Sequence, residues 1–364
     1  MVDVPGSTVS IDRARHVVLE AIEQRTFPGA AVDVGSSDGS LWHEAFGTRT
    51  FETSAPITEA TAFDLASLTK VIATTTVLMD LVGTGVVRLD ERIAESFQEW
   101  RGADRETVTV QDLLEHASGL PARLLDTPPS TRREILHDIC TMPLACSPRT
   151  QAIYSDLGFI LLGLLAERRC QDSLDRQFDS IRARLGVVEP LLGPDHLTFR
   201  LSGAAKAHAA PTSPQADDVR RGRMLVGEVH DNYAAGLGGV AGHAGLFGTA
   251  AAVAAFARLV LRACRGNTVP EPLSSSCMDR FTRKSAVAGS SRALGWDTML
   301  PTSSCGTRMS SSAIGHVGFT GTSLWIDPHR DRYFVLLTNR ACNGGTLDEM
   351  RTVRRSFHDA LAQS

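Results

Sequence analysis

Several features that mark common protein classes are missing from this sequence of 364 residues. The net charge is −4 and the pI is near 6.3, so the chain lacks the basic excess that attracts nucleic acid or an anionic membrane. The longest apolar run, at 159–166, is much too short to cross a lipid bilayer. We therefore expect a small-molecule substrate as the partner, with no nucleic acid and no membrane.

Paired cysteine motifs are absent as well. The seven cysteines are odd in number and show no Cys-x-x-Cys spacing, which predicts reduced, packed thiols instead of a disulfide framework or a zinc site. Glu228, His230, Asp231 and His243 match no usual ligand spacing, so we expect neither a metal nor a cofactor.

The start of the chain lacks the apolar core of a secretory signal. Residues 1–6 lead instead into an amphipathic pattern that is typical of a helix. This predicts a cytoplasmic protein, with a periplasmic location left open if a leader has been removed.

Lysine is scarce, because only three of the 37 basic residues are lysines: Lys70, Lys206 and Lys284. Lys70 follows Ser67 by three positions, where an apolar run at 71–79 predicts a helix that begins near Ser67. This spacing places both side chains on one helical face. A serine hydroxyl becomes a good nucleophile when a neighbouring base takes its proton, and Lys70 can do so if burial or a positive neighbour lowers its pKa. Chance alone gives such a spacing about one time in four, so the pair needs partners elsewhere in the chain.

The order of the predicted elements places strands near both ends of the chain. After a helix at 11–25, an Asp-Gly turn joins two strands, at 29–35 and 41–46, in the manner of a hairpin. Helices follow near 110–116, 132–140, 157–168 and 249–264, with loops at 127–129 and 204–218. Strands at 292–299, 313–319, 322–327 and 332–338 and a helix at 347–362 close the chain.

This order predicts an α+β fold in which both chain ends build one antiparallel sheet flanked by helices. Residues 1–75 and 285–364 would form a discontinuous α/β sheet domain. Residues 76–284 would form an inserted, mostly helical lobe, with the active site in the cleft between the two.

Two further motifs stand where partners for Ser67 and Lys70 are needed. Tyr154-Ser155-Asp156 precedes the apolar helix at 157–168, and His316-Val317-Gly318-Phe319-Thr320-Gly321-Thr322 covers a strand and its turn. In this chain order the three motifs resemble the serine hydrolases of the penicillin-binding protein and class C β-lactamase superfamily, and the esterases related to them. Segments 113–121, 154–163 and 242–250 also resemble segments of that family, so the resemblance covers nearly the whole chain.

The resemblance implies a cleft between two lobes and acyl transfer through an acyl-serine. It makes Ser67 the nucleophile, Lys70 its proton partner and Tyr154 the second base. The oxyanion hole would be formed by the backbone N–H groups of Ser67 and Phe319. Gly318 would let the strand backbone approach the substrate closely.

Three residues depart from the family pattern and affect the expected substrate. Asp156 stands where relatives have Asn, and a carboxylate that faces the acyl-side carbonyl of the substrate can only accept hydrogen bonds. His316 replaces the usual lysine, so it contacts a substrate carboxylate or Tyr154 as a mostly neutral imidazole. Phe319 replaces a hydroxyl donor. These departures predict an esterase that acts on small or medium acyl esters, with at most weak β-lactam hydrolysis. A D-amino-acid peptidase or β-lactamase, and a non-catalytic protein of the same fold, stay open as alternatives.

Overall fold

Nine strands occur in the computed structural model, which describes residues 5–124, 131–193 and 196–362. They are β1 (Gly29–Ser36), β2 (Gly39–Gly47), β3 (Phe63–Asp64), β4 (Leu197–Thr198), β5 (Phe247–Gly248), β6 (Asp297–Thr298), β7 (Ile314–Val317), β8 (Ser323–Asp327) and β9 (Arg332–Thr338). Six of them form an antiparallel sheet in the order β2-β1-β9-β8-β7-β6, and β3, β5 and β4 form a small second sheet.

The pairing of β1 with β9 joins the two ends of the chain, from Ala30 opposite Thr338 to Gly35 opposite Tyr333. The predicted antiparallel sheet is therefore confirmed. The turn between β1 and β2 contains a Gly-x-Ser-x-Gly run at 35–39, the spacing of an α/β-hydrolase nucleophile elbow. That elbow needs a strand-to-helix turn, whereas this run joins two antiparallel strands.

Twelve α-helices occur in the described residues, and three of them cover the main sheet. They are α1 (Pro5–Glu23), α2 (Thr75–Gly83), α3 (Ile93–Ser96), α4 (Val110–Leu114), α5 (Arg132–Thr141), α6 (Asp156–Cys170), α7 (Leu174–Gly186), α8 (Gly203–Ala207), α9 (Asn232–Gly236), α10 (Ala250–Cys264), α11 (Ser275–Phe281) and α12 (Leu347–Leu361). Helices α1 and α12 pack together on one face of the sheet and α10 packs on the other.

Alternation along β1 explains this layering. Ala30 and Val32 point into the core shared with α1 and α12, while Ala31 points into the core shared with α10. The division into a sheet domain and an inserted lobe at 76–284 stays a prediction, and α10 packs on the sheet although it lies inside that range.

Two predicted elements differ in the structure. The strand predicted at 292–299 is reduced to Asp297–Thr298 and a single bridge from Arg292 to Asp297. Gly295 interrupts it with a φ of +86°, in the left-handed region that strands do not use. The segment 204–218, predicted as a loop, overlaps the short helix α8, and the loop predicted at 127–129 lies outside the described residues. No described helix has the length and hydropathy of a membrane span.

Candidate active site

Ser67 lies in a turn between β3 and the helix that begins at Leu68. The preceding residue, Ala66, has a φ of +48°, a left-handed conformation that is costly for any residue with a Cβ. The Asp64 carboxylate helps to hold it, because Oδ1 accepts a hydrogen bond from the Ala66 N–H at 2.8 Å. The helix first runs through a π-helical segment, Lys70–Thr74, a form that is frequent at functional sites, and continues as α2.

Ser67, Lys70 and Tyr154 form a triangle of hydrogen-bond distances. Lys70 Nζ lies 2.9 Å from Ser67 Oγ and 2.8 Å from the Tyr154 hydroxyl, and that hydroxyl lies 2.7 Å from Ser67 Oγ. Each of the three groups is thus placed to exchange a proton with the other two. The structure brings together the three residues that the motifs predicted as the catalytic set.

Asp156 occupies a different place from the one expected. It is the first residue of α6, and its Oδ1 accepts a hydrogen bond from Lys70 Nζ at 2.7 Å, while Oδ2 lies 3.5 Å from Arg123. Both carboxylate oxygens therefore face cations, and the expectation that Asp156 presents a free carboxylate to the substrate carbonyl is wrong. The reason is the complete burial of Lys70, whose ammonium requires a compensating charge.

This ion pair also reverses the expected pKa of the lysine. Burial acts to lower the pKa of Lys70, but the Asp156 carboxylate and the Tyr154 hydroxyl outweigh it, and the pKa lies above its usual value. Burial raises the pKa of Tyr154 more than the Lys70 ammonium lowers it. Both groups are therefore protonated in the resting site at neutral pH.

A second layer of charges surrounds this pair. Arg123 bridges Asp156 to Asp231, with 3.1 Å between Arg123 and the Asp231 carboxylate, and Asp231 Oδ1 lies 2.8 Å from His243 Nε2. Burial would raise the pKa of Asp231, but His243 and Arg123 hold it far below its usual value. This series of contacts also connects back to Lys70, because the His243 carbonyl accepts a hydrogen bond from Nζ at 3.2 Å.

His316 lies beside the triangle as a neutral side chain. Its Nδ1 lies 2.9 Å from the Val317 carbonyl, and Nε2 is buried without a hydrogen-bond partner in the described part of the chain. Burial, Arg292 and Lys70 hold its pKa well below its usual value. Its ring packs beside Tyr154 at 5.7 Å between centroids, but it does not hydrogen-bond the Tyr154 hydroxyl.

Gly318 is required for a close approach between two parts of the chain, and its approach to the substrate stays a prediction. A Cβ at Gly318 would lie 2.7 Å from the Leu65 carbonyl oxygen and 3.1 Å from the Ala66 Cβ, so the glycine lets the end of β7 reach the turn that carries Ser67. Within the described residues, the backbone N–H groups of Ser67 and Phe319 have no hydrogen-bond partner. They are available as donors to a developing oxyanion.

The predicted site residues other than the fully buried Lys70 line one cavity of about 370 Å³, a size suited to a small ligand. Five charged residues in its wall were not predicted as catalytic or substrate-binding residues from the sequence: Arg123, Asp231, Arg292, Asp297 and Arg354. Arg292 lies over the Tyr154 ring at 5.1 Å from its centroid, and its only ion pair in the described residues is a long one of 3.8 Å to Asp297. No motif signals these arginines, because 34 of the 37 basic residues are arginine.

No group of three or more histidines, cysteines or acids suited to a metal occurs in the ranges that the structure describes. His230, Asp231 and His243 do meet in the cavity wall, whereas Glu228 forms an ion pair with Arg223.

A comparison with family models supplies the observation that decides the family. The model described as Beta-lactamase matches residues 14–358. The chain belongs to the beta-lactamase family. Members of this family are serine hydrolases, so the chain is an enzyme of that class, and the resemblance drawn from the motifs is confirmed.

Two curated relatives of this beta-lactamase family member carry the names of a carboxypeptidase and an amidase. An Escherichia coli K12 protein named "Putative D-alanyl-D-alanine carboxypeptidase" is 30% identical over 308 residues, 78% of this chain and 70% of the relative. A Bacillus subtilis 168 protein named "N-acetylmuramyl-L-alanine amidase" is 29% identical over 348 residues, 86% of this chain and 77% of the relative.

Solved structures with the same fold have other activities in their titles. EstCE1, "a hydrolase with promiscuous acyltransferase activity", has a TM-score of 0.75 at 18% identity and covers 99% of this chain and 100% of its own. A class C beta lactamase has a TM-score of 0.72 at 18% identity, with coverage of 99% and 100%. These similarities show the fold of this beta-lactamase family member and no more.

Proposed function

We propose that this chain is an esterase-like serine hydrolase that forms an acyl-enzyme on Ser67 and acts on small or medium acyl esters. The observation that carries the proposal is the triangle of Ser67 Oγ, Lys70 Nζ and Tyr154 OH, with all three distances between 2.7 and 2.9 Å. A protein that only bound ligands would have no need for three proton-exchanging groups in mutual contact.

The chemistry begins when the Lys70 and Tyr154 pair loses one proton. The Ser67 hydroxyl passes its proton to this pair while Oγ bonds to the ester carbonyl carbon. The carbonyl oxygen becomes negative and accepts hydrogen bonds from the N–H groups of Ser67 and Phe319. The bond to the alkoxy group then breaks, the leaving oxygen takes the proton back, and water releases the acid by the same steps.

The ester preference rests on the contacts and charge states of Asp156 and His316. Asp156 is occupied by Lys70 and Arg123, and His316 is neutral, so neither supplies the donor or the charge with which relatives hold an amide substrate. Phe319 is 45% exposed and offers an apolar surface in the same wall. An ester also has a better leaving group than an amide and needs less assistance from these contacts.

A D-alanyl peptidase is the second candidate, because one observation favours it. Arg292 brings a weakly paired guanidinium into the cavity, where it can attract the terminal carboxylate of a peptide. The E. coli relative at 30% identity is named for that reaction.

A panel of substrates tests both candidates. We expect kcat/KM for p-nitrophenyl acetate or butyrate to exceed the values for a chromogenic cephalosporin and for a peptide that ends in D-alanyl-D-alanine. A cephalosporin or peptide preferred more than about tenfold over both esters would overturn the ester assignment. Arg292→Gln should then lower peptide cleavage selectively, since a neutral ester makes no ion pair.

Covalent labelling separates an enzyme from an inactive member of the fold. A fluorophosphonate should label the wild-type protein at Ser67, and the absence of label would favour the non-catalytic alternative.

A cytoplasmic location belongs to this proposal too, because all seven cysteines are unpaired. Cell fractionation checks it.

A further inference from the structure

Arg354 is a buried arginine of α12 that contacts the turn after β7. Its side chain is 5% exposed, and Nη2 donates hydrogen bonds to the Gly318 carbonyl at 2.6 Å and to the Thr322 carbonyl at 2.9 Å. The described residues provide it with no carboxylate partner, and the charged group that affects it is another cation, Arg340. Burial and Arg340 lower the pKa of Arg354 to about 9, which leaves the guanidinium charged at neutral pH.

The carbonyl that Arg354 contacts belongs to a particular peptide group. The Gly318 C=O and the Phe319 N–H are the two ends of one planar unit, whose electrons are delocalised across the C–N bond. A cationic donor at the oxygen therefore makes the N–H more polar and fixes the plane of the unit. The Gly321 N–H adds a second donor to the same oxygen at 3.1 Å.

A purely structural role does not require the charge. Two carbonyls could be satisfied by a neutral donor, whereas a buried guanidinium without a counter-ion carries a large desolvation cost. A nearby negative charge would recover part of that cost. The proposed reaction creates such a charge at the Phe319 N–H, when the carbonyl oxygen of the substrate becomes an oxyanion.

We propose that Arg354 is a positioning residue that orients and polarises the 318–319 peptide group, the oxyanion-hole donor. This inference rests on the proposed acyl-Ser67 chemistry. Arg354 acts through the peptide group, so its effect should appear in the transition state and hardly at all in substrate binding.

Arg340 provides the matched control. It is also a buried arginine, 7% exposed, and its Nε donates to the Phe319 carbonyl at 3.1 Å. That carbonyl belongs to the next peptide group, whose N–H is that of Thr320. Removal of Arg340 thus perturbs the same turn, including a contact of 4.7 Å with the Phe319 ring, but it removes no hydrogen bond to the 318–319 peptide group.

The experiment compares Arg354→Gln, Arg354→Lys and Arg340→Gln with the wild type on p-nitrophenyl butyrate. We expect Arg354→Gln to lower kcat by about 10- to 100-fold with KM nearly unchanged, since loss of a whole oxyanion donor costs about 100- to 1000-fold. Affinity for phenylboronic acid, which forms a tetrahedral anionic adduct on Ser67, should fall by a similar factor. Arg354→Lys should recover part of the loss, and Arg340→Gln should have a much smaller effect.

Three results would overturn the proposal: kcat of folded Arg354→Gln close to wild type, a loss confined to KM, or an equal loss in Arg340→Gln. If Arg354→Gln fails to fold, the infrared carbonyl band of the acyl-enzyme in Arg354→Lys decides. That band should lie at higher frequency than in the wild type if polarisation is weakened, and an unchanged band contradicts the proposal. Failure of the acyl-Ser67 chemistry is distinguishable, because the wild type would then form no boronate adduct.

Discussion

Asp156 and Lys70 form a buried ion pair, with 2.7 Å between Oδ1 and Nζ, directly behind the Ser67 hydroxyl. The carboxylate keeps the ammonium protonated, and Arg123 and Asp231 continue the alternation of charge away from the cleft. The base in this site is therefore the coupled pair of Lys70 and Tyr154, which must lose a proton before it can accept one from Ser67.

Replacing Asp156 by Asn should move the alkaline dependence of activity to lower pH. The substitution removes the negative charge that raises the pKa of Lys70, and an opposite charge at this distance shifts a pKa by about 1–3 units. The measurement is kcat/KM for p-nitrophenyl butyrate from pH 6 to 11. Asp175→Asn serves as control, since Asp175 pairs with Arg200 outside the cavity wall. If the pH dependence of kcat/KM in Asp156→Asn matched that of the wild type, the ion pair would not determine the pKa of the catalytic base.

Tyr154→Phe should lower kcat with little change in KM. It removes the hydroxyl that lies 2.7 Å from Ser67 Oγ, and loss of a general acid–base group costs about 100- to 10,000-fold. Tyr233→Phe is the matched control, because Tyr233 is buried, its ring stacks on Arg123 and it is not among the residues that line the cavity. Steady-state kinetics should be measured on both variants. An equal loss of kcat in the two would refute the catalytic role of Tyr154.

Ser67→Ala should abolish both turnover and fluorophosphonate labelling while the protein stays folded. The side chain is only half-buried, and its hydroxyl contributes mainly the contacts to Lys70 and Tyr154. Thermal unfolding should therefore shift by a few degrees at most. Turnover of Ser67→Ala at the wild-type rate would contradict the acyl-serine mechanism itself.

Gly318→Ala should destabilise the protein and slow catalysis together. The added Cβ would lie 2.1 Å from Thr322 Oγ1 and 2.7 Å from the Leu65 carbonyl oxygen, and such overpacking costs about 1–3 kcal/mol. Gly83→Ala provides the contrast, because a Cβ there meets nothing within 4 Å. Urea unfolding should show Gly83→Ala as stable as the wild type or slightly more stable. Equal stability of both variants would argue against the close approach of β7 to the Ser67 turn.

The buried Asp64 carboxyl group should make a contribution to the free energy of unfolding that depends on pH. Burial raises its pKa from 3.8 to about 6, although the N–H groups of His230 and Ala66 act in the opposite direction. Because the folded pKa is raised, the contribution is full below pH 3.8 and is lost as the pH rises through about 6. The free energy of unfolding of the wild type relative to Asp64→Asn should thus fall between pH 4 and 8, by on the order of 2–3 kcal/mol. A difference that rises with pH would reverse the assignment.

The amino-acid sequence by itself determined the parts of the site that depend on local geometry. Lys70 follows Ser67 by three positions at the start of a helix, and this spacing brings the two side chains to one face, 2.9 Å apart. The pairing of both chain ends in one antiparallel sheet also followed from strand patterns. The presence of Gly318 and Tyr154 in the cavity wall was predicted from the order of the motifs, because each residue lies in a segment of recognisable pattern.

Only the tertiary structure determined which charged groups of the site become neighbours. Lys70 and Asp156 are 86 positions apart in the sequence. No sequence periodicity predicts that Asp156 contacts Lys70 and raises the pKa of the lysine. Arg354 reaches the Gly318 carbonyl from α12, across 36 positions. A pKa and the polarity of a peptide group depend on burial and on every charge within several ångströms, and those neighbours come from segments that meet only when the chain has folded.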